Sequence, residues 1–352
     1  MTGVRSPAPS SPLPLGRGVP PGPLPLGRGL PFVLLCFVAM VVAVGAAPFI
    51  GSTPIRLAHV FSRSTPFADN VDAQIFFIAR LPRALAAALV GGTLAAAGVI
   101  FQGLLRNPLA TPYTLGVSAG ASLGAMVVMT FGAAWSVGGV ASASLAGASL
   151  AVLVVYWLAR ARHSGLSTTV LLLAGVTLNA FFSALILFVQ YLSDFAQTYR
   201  ALRWLMGDLD VASYAPIVAA LPLVVVAFVA FAWLARPLNL ISLGADAAAS
   251  RGVDVERAQR LAFFSASLAT GAAVSVGGPI GFVGIIVPHL VRRLVGSDHR
   301  LVLPASTFFG AAFLIACDAV ARTILAPLEL PVGIITALIG GPFFLWLLIR
   351  KR

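Results

Sequence analysis

The sequence predicts an all-α membrane protein of about ten transmembrane helices with both termini in the cytosol, and three observations carry that expectation. Hydrophobic residues make up 59% of the 352 and charged residues only 10%, with a mean hydropathy of +0.98. A water-soluble domain of this length could not carry that composition without exposing very large apolar patches. The apolar residues also come in runs long enough to cross a bilayer, and the basic residues between those runs are distributed unevenly.

In chain order, residues 1–30 are rich in Pro, Gly and Ser, and the heptapeptide PLPLGRG occurs at Pro12–Gly18 and again at Pro23–Gly29. Such a segment cannot bury enough apolar surface to order itself and reads as a disordered cytosolic tail ahead of a polytopic domain over residues 31–352. The first apolar run is Pro31–Gly51. It exceeds the hydrophobic region of a cleaved signal sequence, the alternative for an apolar run in that position. Further runs follow at Ala84–Leu105, Tyr113–Phe131, Val137–Ala159, Val170–Leu192, Ala215–Ala235, Leu261–Gly277, Ile280–Val291, Leu303–Val320 and Val332–Ile349. With the N-terminus in the cytosol, Arg5, Arg17, Arg28, Arg106, Arg160, Arg162, Arg236, Arg251, Arg257, Arg260, Arg292, Arg293, Arg300, Arg350, Lys351 and Arg352 fall inside. Arg56, Arg63, Arg80, Arg83, Arg200, Arg203 and Arg322 fall outside. That bias obeys the positive-inside rule.

The longest polar interruption, Arg236–Arg260, therefore lies in the cytosol. Its Ala-rich middle between Gly244 and Gly252 reads as a short helix held between two glycine breaks, either a docking element or an ordinary loop. Gly116, Gly120 and Gly124 form a GxxxGxxxG ridge, a device for close helix packing. The GGPIGFVG stretch from Gly277 reads as a tight turn between two spans rather than a broken helix lining a site.

Several chemistries are excluded. The only lysine is Lys351, so no GxxxxGK[ST] phosphate loop exists and any ATP hydrolysis belongs to a partner. Cys36 and Cys317 lie in separate apolar runs without metal-ligand spacing, and the arginines form no aromatic-interleaved patch for nucleic acid. No triad-like constellation suggests catalysis. The spans carry no mid-bilayer charges of the kind that mark ion relays, which weighs against the other-class alternative, an ion-coupled secondary transporter. Asp318 lies one helical turn before Arg322, which a local pair explains. The Val170–Leu192 run offers Thr177, Asn179 and Ser183, polar but uncharged, as walls of a neutral passage. His289 in VPHLVRR is open to a functional or a purely structural role. Arg80, Arg83 and Arg322 on the outer side read as anchors for lipid phosphates or as grips for a partner's carboxylates.

The stretches RLPRALAAALVGG, GVIFQGLLRNPLATPYTLGVSAGASLG, STTVLLLAGVTLNA, GPIGFVGIIVPHLVRRLVGSDHRLVLP, DAVAR and LELPVGIITALIGGPFF resemble the FecCD-type permeases, in order, over roughly Ala73–Ile349. These are membrane subunits of ATP-driven bacterial importers for iron–siderophore complexes, haem and cobalamin. The resemblance implies a homodimer in the cytoplasmic (inner) membrane, with the translocation path on the axis between the copies. It implies two cytosolic ATPase subunits that use ATP and Mg, and a periplasmic or lipoprotein substrate-binding protein. The chain itself would bind no cofactor. By the same resemblance Arg80, Arg83 and Arg322 are sockets for the binding protein's glutamates. The Arg236–Arg260 loop, with Leu243, Gly244, Ala247, Ala248 and Gly252, inserts into the ATPase. Asn107, Leu109, Ser167, Thr168 and Thr169 form the inner gate, and the path beyond it is the one to which Thr177 and Asn179 offer polar, uncharged walls. Iron–siderophore is the leading substrate class, with haem or cobalamin behind it.

Overall fold

A computed structural model describes residues 26–62, 66–132, 139–160, 168–211 and 213–350, and among these there is no strand. Helix α1 is Leu26–Ala46. It starts inside the stretch expected to be a disordered tail up to residue 30 and carries Pro31 within it. Residues 1–25 of the expected tail lie outside the described residues.

The architecture is built around α2, Leu81–Leu105, which a π-helical segment, Ile75–Arg80, and a further turn extend back to Val71 as one 35-residue helix. Its LAAALVGGTLAAAG run leaves almost no side chain to hold neighbours away, so α2 is buried on nearly all sides. A Cβ at Gly98 would stand 2.1 Å from the Gly284 carbonyl oxygen, so backbone packs on backbone there. After α2 come α3 (Val117–Phe131), α4 (Gly139–Arg160), α5 (Thr168–Tyr191) and the amphipathic α6 (Phe195–Leu205). Then come α7 (Ala215–Ile241), the short α8 (Ala245–Ala249), α9 (Val255–Gly277), α10 (Val283–Val295), α11 (His299–Thr323) and α12 (Val332–Arg350).

Against the expected ten or so spans, seven helices among the described residues are long and apolar enough to cross a membrane. Helix α3 has 15 residues and α10 has 13, about 22 and 20 Å at 1.5 Å per residue against a hydrocarbon core of about 30 Å. The apolar window of α12, Val332–Leu347, also falls short.

The glycine ridge is only partly as expected. Gly120 lies against Gly147 of α4, where a Cβ at Gly147 would meet the Gly120 carbonyl oxygen at 2.1 Å, and Gly124 lies against Ala143. Gly116 instead precedes α3 in the left-handed region, at φ 75°, and faces Gly175 of α5. From Gly277 the chain runs without helix to Phe282, with Gly278 and Phe282 both at φ 67°. Helix α6, absent from the span reading, is announced by a capping box. Gln197 N donates to Asp194 Oδ1 at 2.7 Å, and Asp194 N donates to Gln197 Oε1 at 3.0 Å.

The connection around α8 is shorter than the expected 236–260. Helix α7 runs on through Pro237 to Ile241, and α9 starts at Val255, where Asp254 Oδ1 accepts from Arg257 N at 2.9 Å. The non-helical chain is therefore two short arms on either side of α8.

Candidate functional site

Two groups of predicted site residues lie at opposite ends of α2. At its start, Arg80 closes the π-helical segment and Arg83 follows within a turn, while Arg322 comes from the last turn of α11. The structure brings all three together at the floor of a cleft of about 500 Å³, also lined by Thr53, Tyr199, Arg203 and Glu329. They are nonetheless buried, at 7%, 7% and 3% exposure, rather than projecting from the surface.

Their partners explain the burial. Arg83 Nε donates to Asp318 Oδ1 at 2.9 Å, and Arg83 also pairs with Glu329. Arg322 Nε meets Asp318 Oδ2 at 3.0 Å one turn along the helix, the local pair expected from the spacing. Arg322 donates further to the Ile50 carbonyl at 3.0 Å, and Arg80 donates to the carbonyls of Pro48 and Thr53. Asp318, 1% exposed, is thus held by two guanidinium groups at once, which offsets the cost of burying any of the three. The hydrogen bonds that Arg80 makes to Pro48 and Thr53 go to backbone carbonyls, and Glu329, at 37% side-chain exposure, is the accessible acid of the group. The cleft can therefore bind a carboxylate at Arg80 outright, or at Arg83 by displacing Glu329.

At the other end, α2 stops at Arg106 in the left-handed conformation, φ 48°. Asn107 Oδ1 accepts from Leu109 N at 2.9 Å, an Asx turn that leaves Leu109 52% exposed. Ser167 and the Thr168 side chain lie outside the described residues, and Thr169 is exposed at the start of α5. No hydrogen bond joins Asn107 or Leu109 to Thr169 among the described residues. Thr177 and Asn179 are both exposed on α5, but at 100° per residue they stand on opposite flanks of its open face, with Ser183 on the Asn179 side.

At this same end, Gly244 at φ 128° and Gly252 at φ 82° bound α8, conformations that an L side chain resists. Leu243 is 65% exposed at the tip, Ala247 is half-buried, and Ala248 is fully buried and accepts the Val253 N–H at 3.1 Å. The expected coupling residues thus divide into an exposed tip and a buried anchor. Sequence reasoning missed the lock beside them. Asn239 near the end of α7 donates to Asp298 Oδ1 at 2.7 Å, and its own Oδ1 accepts from His299 N at 2.9 Å. Burial alone would raise the Asp298 carboxyl, but hydrogen bonds from Arg300 and Asn239 hold it below the usual range. The SDHR sequence, a capping residue ahead of an apolar run, was the available signal. His289 sits against the rings of Phe343 and Phe344. No group of three or more His, Cys, Asp or Glu suited to a metal occurs among the described residues.

Bilayer-length helices around an Ala/Gly-rich axis, with a polar cleft at one end and a glycine-bounded helix at the other, define a multi-pass membrane protein. The FecCD transport family matches residues 35–350, and the chain belongs to that family. It is an ABC-transporter permease. It is 38% identical to the hemin transport system permease protein HmuU of Yersinia pestis over 329 residues, 90% of this chain and 95% of that one. It is 45% identical over 269 residues to the cobalamin import system permease protein BtuC of Halobacterium salinarum, 76% of this chain and 72% of that one. A solved metal-chelate type ABC transporter in an inward-facing conformation matches with a TM-score of 0.79 at 30% identity, covering 92% of this chain and all of that one.

Proposed function

We propose that the chain is the permease of a binding-protein-dependent importer for metal chelates in a bacterial inner membrane, driven by two separate cytosolic ATPase subunits. The observation that carries this reading is α8. It is a short helix between two left-handed glycines with an exposed leucine at its tip, in a chain that has no phosphate-binding loop of its own. Iron–siderophore is the leading cargo, and the names of the relatives favour haem or cobalamin as the second reading. Vesicles holding the permease and its ATPase should take up chelate in proportion to internal ATP. Uptake that needs no ATP and follows a proton or sodium gradient would replace this reading with a secondary transporter.

The cargo path is assigned to the two-fold axis between two copies, faced by the open side of α5 with Thr177 and Asn179, and closed inside by Asn107, Leu109, Ser167, Thr168 and Thr169. The support is the exposure of α5, whose apolar window is only 22% buried within one chain, together with the tight glycine packing of the rest. A purified transporter whose mass accommodates a single copy would remove that axis.

Docking of the binding protein is assigned to the arginine cleft by carboxylate exchange, in which an incoming glutamate takes the place of Glu329 at Arg83 and another meets Arg80. Glu329→Gln should then tighten association with the binding protein by roughly 1 kcal/mol, about fivefold, since the pair it removes is partly exposed. Titration of the binding protein onto reconstituted complexes would read this, and weaker or unchanged association would exclude the exchange.

A further inference from the structure

Outside these sites, an apolar trench runs between α4 and α9. Its walls are Leu145, Ser149 and Leu153 on one helix and Phe264, Leu268 and Gly271 on the other, enclosing about 170 Å³. At Leu153 it joins a second hollow of about 510 Å³ lined by Tyr156, Trp157 and Arg160. The helices are antiparallel and in register. Tyr156 stands opposite Phe264, with ring centroids 4.9 Å apart, and Ala148 stands opposite Gly271.

Continued by one turn, that register sets Arg160 of α4 level with Arg260 of α9. Both lie on the stripes that wall the trench, at the i+4 position beyond Tyr156 and one turn before Phe264. The trench thus carries a guanidinium on each side at one mouth. Among the described residues neither is firmly engaged. Arg160 reaches the Tyr156 hydroxyl at 3.4 Å, and Arg260 meets Glu256 at 3.6 Å across an exposed pair that contributes little. Trp157, 68% exposed, and Tyr156 mark the headgroup level, where amphipathic rings settle. From Tyr156 to Leu145 the helix descends about 16 Å, half the roughly 30 Å hydrocarbon core.

We propose that this trench holds an acyl chain of an anionic glycerophospholipid whose phosphate is gripped by Arg160 and Arg260. A flat apolar face would be wetted by any lipid. A leaflet-deep furrow ending in two arginines and two aromatic rings selects for negative headgroup charge. In the orientation proposed above the lipid belongs to the inner leaflet, but binding in detergent does not depend on that orientation, so the two can fail separately.

The test is native mass spectrometry of the full-length protein, titrated with phosphatidylglycerol and with phosphatidylcholine of the same chains. Wild type should retain phosphatidylglycerol preferentially. Arg160→Gln and Arg260→Gln should each weaken phosphatidylglycerol about fivefold and leave phosphatidylcholine unchanged, while Lys at either position keeps most of the preference. Ser149→Trp or Leu153→Trp, at exposed positions on the trench wall, should weaken both lipids by plugging the furrow. An unchanged preference in the Arg160→Gln, Arg260→Gln double variant would overturn the proposal. So would full lipid retention in both Trp variants, because the charge would then act as a surface patch without the trench.

Discussion

Asp318→Asn is expected to destabilise the permease by about 3–5 kcal/mol while leaving the side chain's shape in place. The carboxylate is 1% exposed and holds Arg83 at 2.9 Å and Arg322 at 3.0 Å. An amide keeps the volume but removes the charge, so two guanidinium groups remain in a low-dielectric site. Of their other partners, Glu329 is partly exposed and the backbone carbonyls are neutral. Removing one partner from a buried pair costs far more than the pair is worth against an apolar replacement, because what remains is an uncompensated charge. Glu329→Gln is the internal comparison, since its 37% exposure lets water take over the lost contact, and it should cost less than about 1 kcal/mol. Denaturant unfolding of the purified protein in detergent would measure both. Equal, small losses would mean that Asp318 is hydrated and that the arginines do not depend on it. The same geometry bears on docking: reversing Arg83 or Arg322 to Glu would set a second acid against Asp318 and disturb the fold, so Glu329 is the informative position.

Much of this was legible in the sequence, for physical reasons that differ by region. Apolar runs of bilayer length announce helices because no other open-chain structure satisfies the backbone in lipid. The glycine breaks at Gly244 and Gly252 announced α8 because left-handed backbone selects Gly. The burial of Arg80, Arg83 and Arg322 was not legible. The Asp318–Arg322 pair follows from spacing on one helix, but Arg83 joins it from 235 residues away, and Ile50 is brought to Arg322 by the return of α1. Helix α6 was passed over because its apolar residues are interleaved with polar ones and too short for a span, although Asp194 and Gln197 carried a capping signal. The Thr177 and Asn179 positions show the reverse case. Both lie on an exposed helix, yet the helical period sets them on opposite flanks, which the sequence already contained and a list of polar residues does not use.

The largest functional effect is expected at the tip of α8. Leu243→Glu, or Ala247→Glu beside it, should abolish ATP-driven uptake while the protein still inserts and folds. Leu243 is 65% exposed and Ala247 half-buried, so neither change empties or overfills the core. A leucine held out in water just ahead of the Gly244 turn contributes little to the permease's own packing, and the arrangement is favourable once a partner surface covers it. Ala248 serves as the contrasting position. It is fully buried, and its carbonyl accepts from Val253 N at 3.1 Å, so a bulky residue there would displace α8 from α7 and α9 and lower stability as well as transport. The two classes separate in one experiment that reads uptake, stimulated ATPase activity and thermal unfolding together. Loss of uptake with unchanged unfolding at Leu243 and Ala247, against loss of both at Ala248, assigns the tip to the ATPase contact. Normal ATP-driven uptake in Leu243→Glu and Ala247→Glu would place the coupling surface elsewhere on the chain and leave α8 as an ordinary connection.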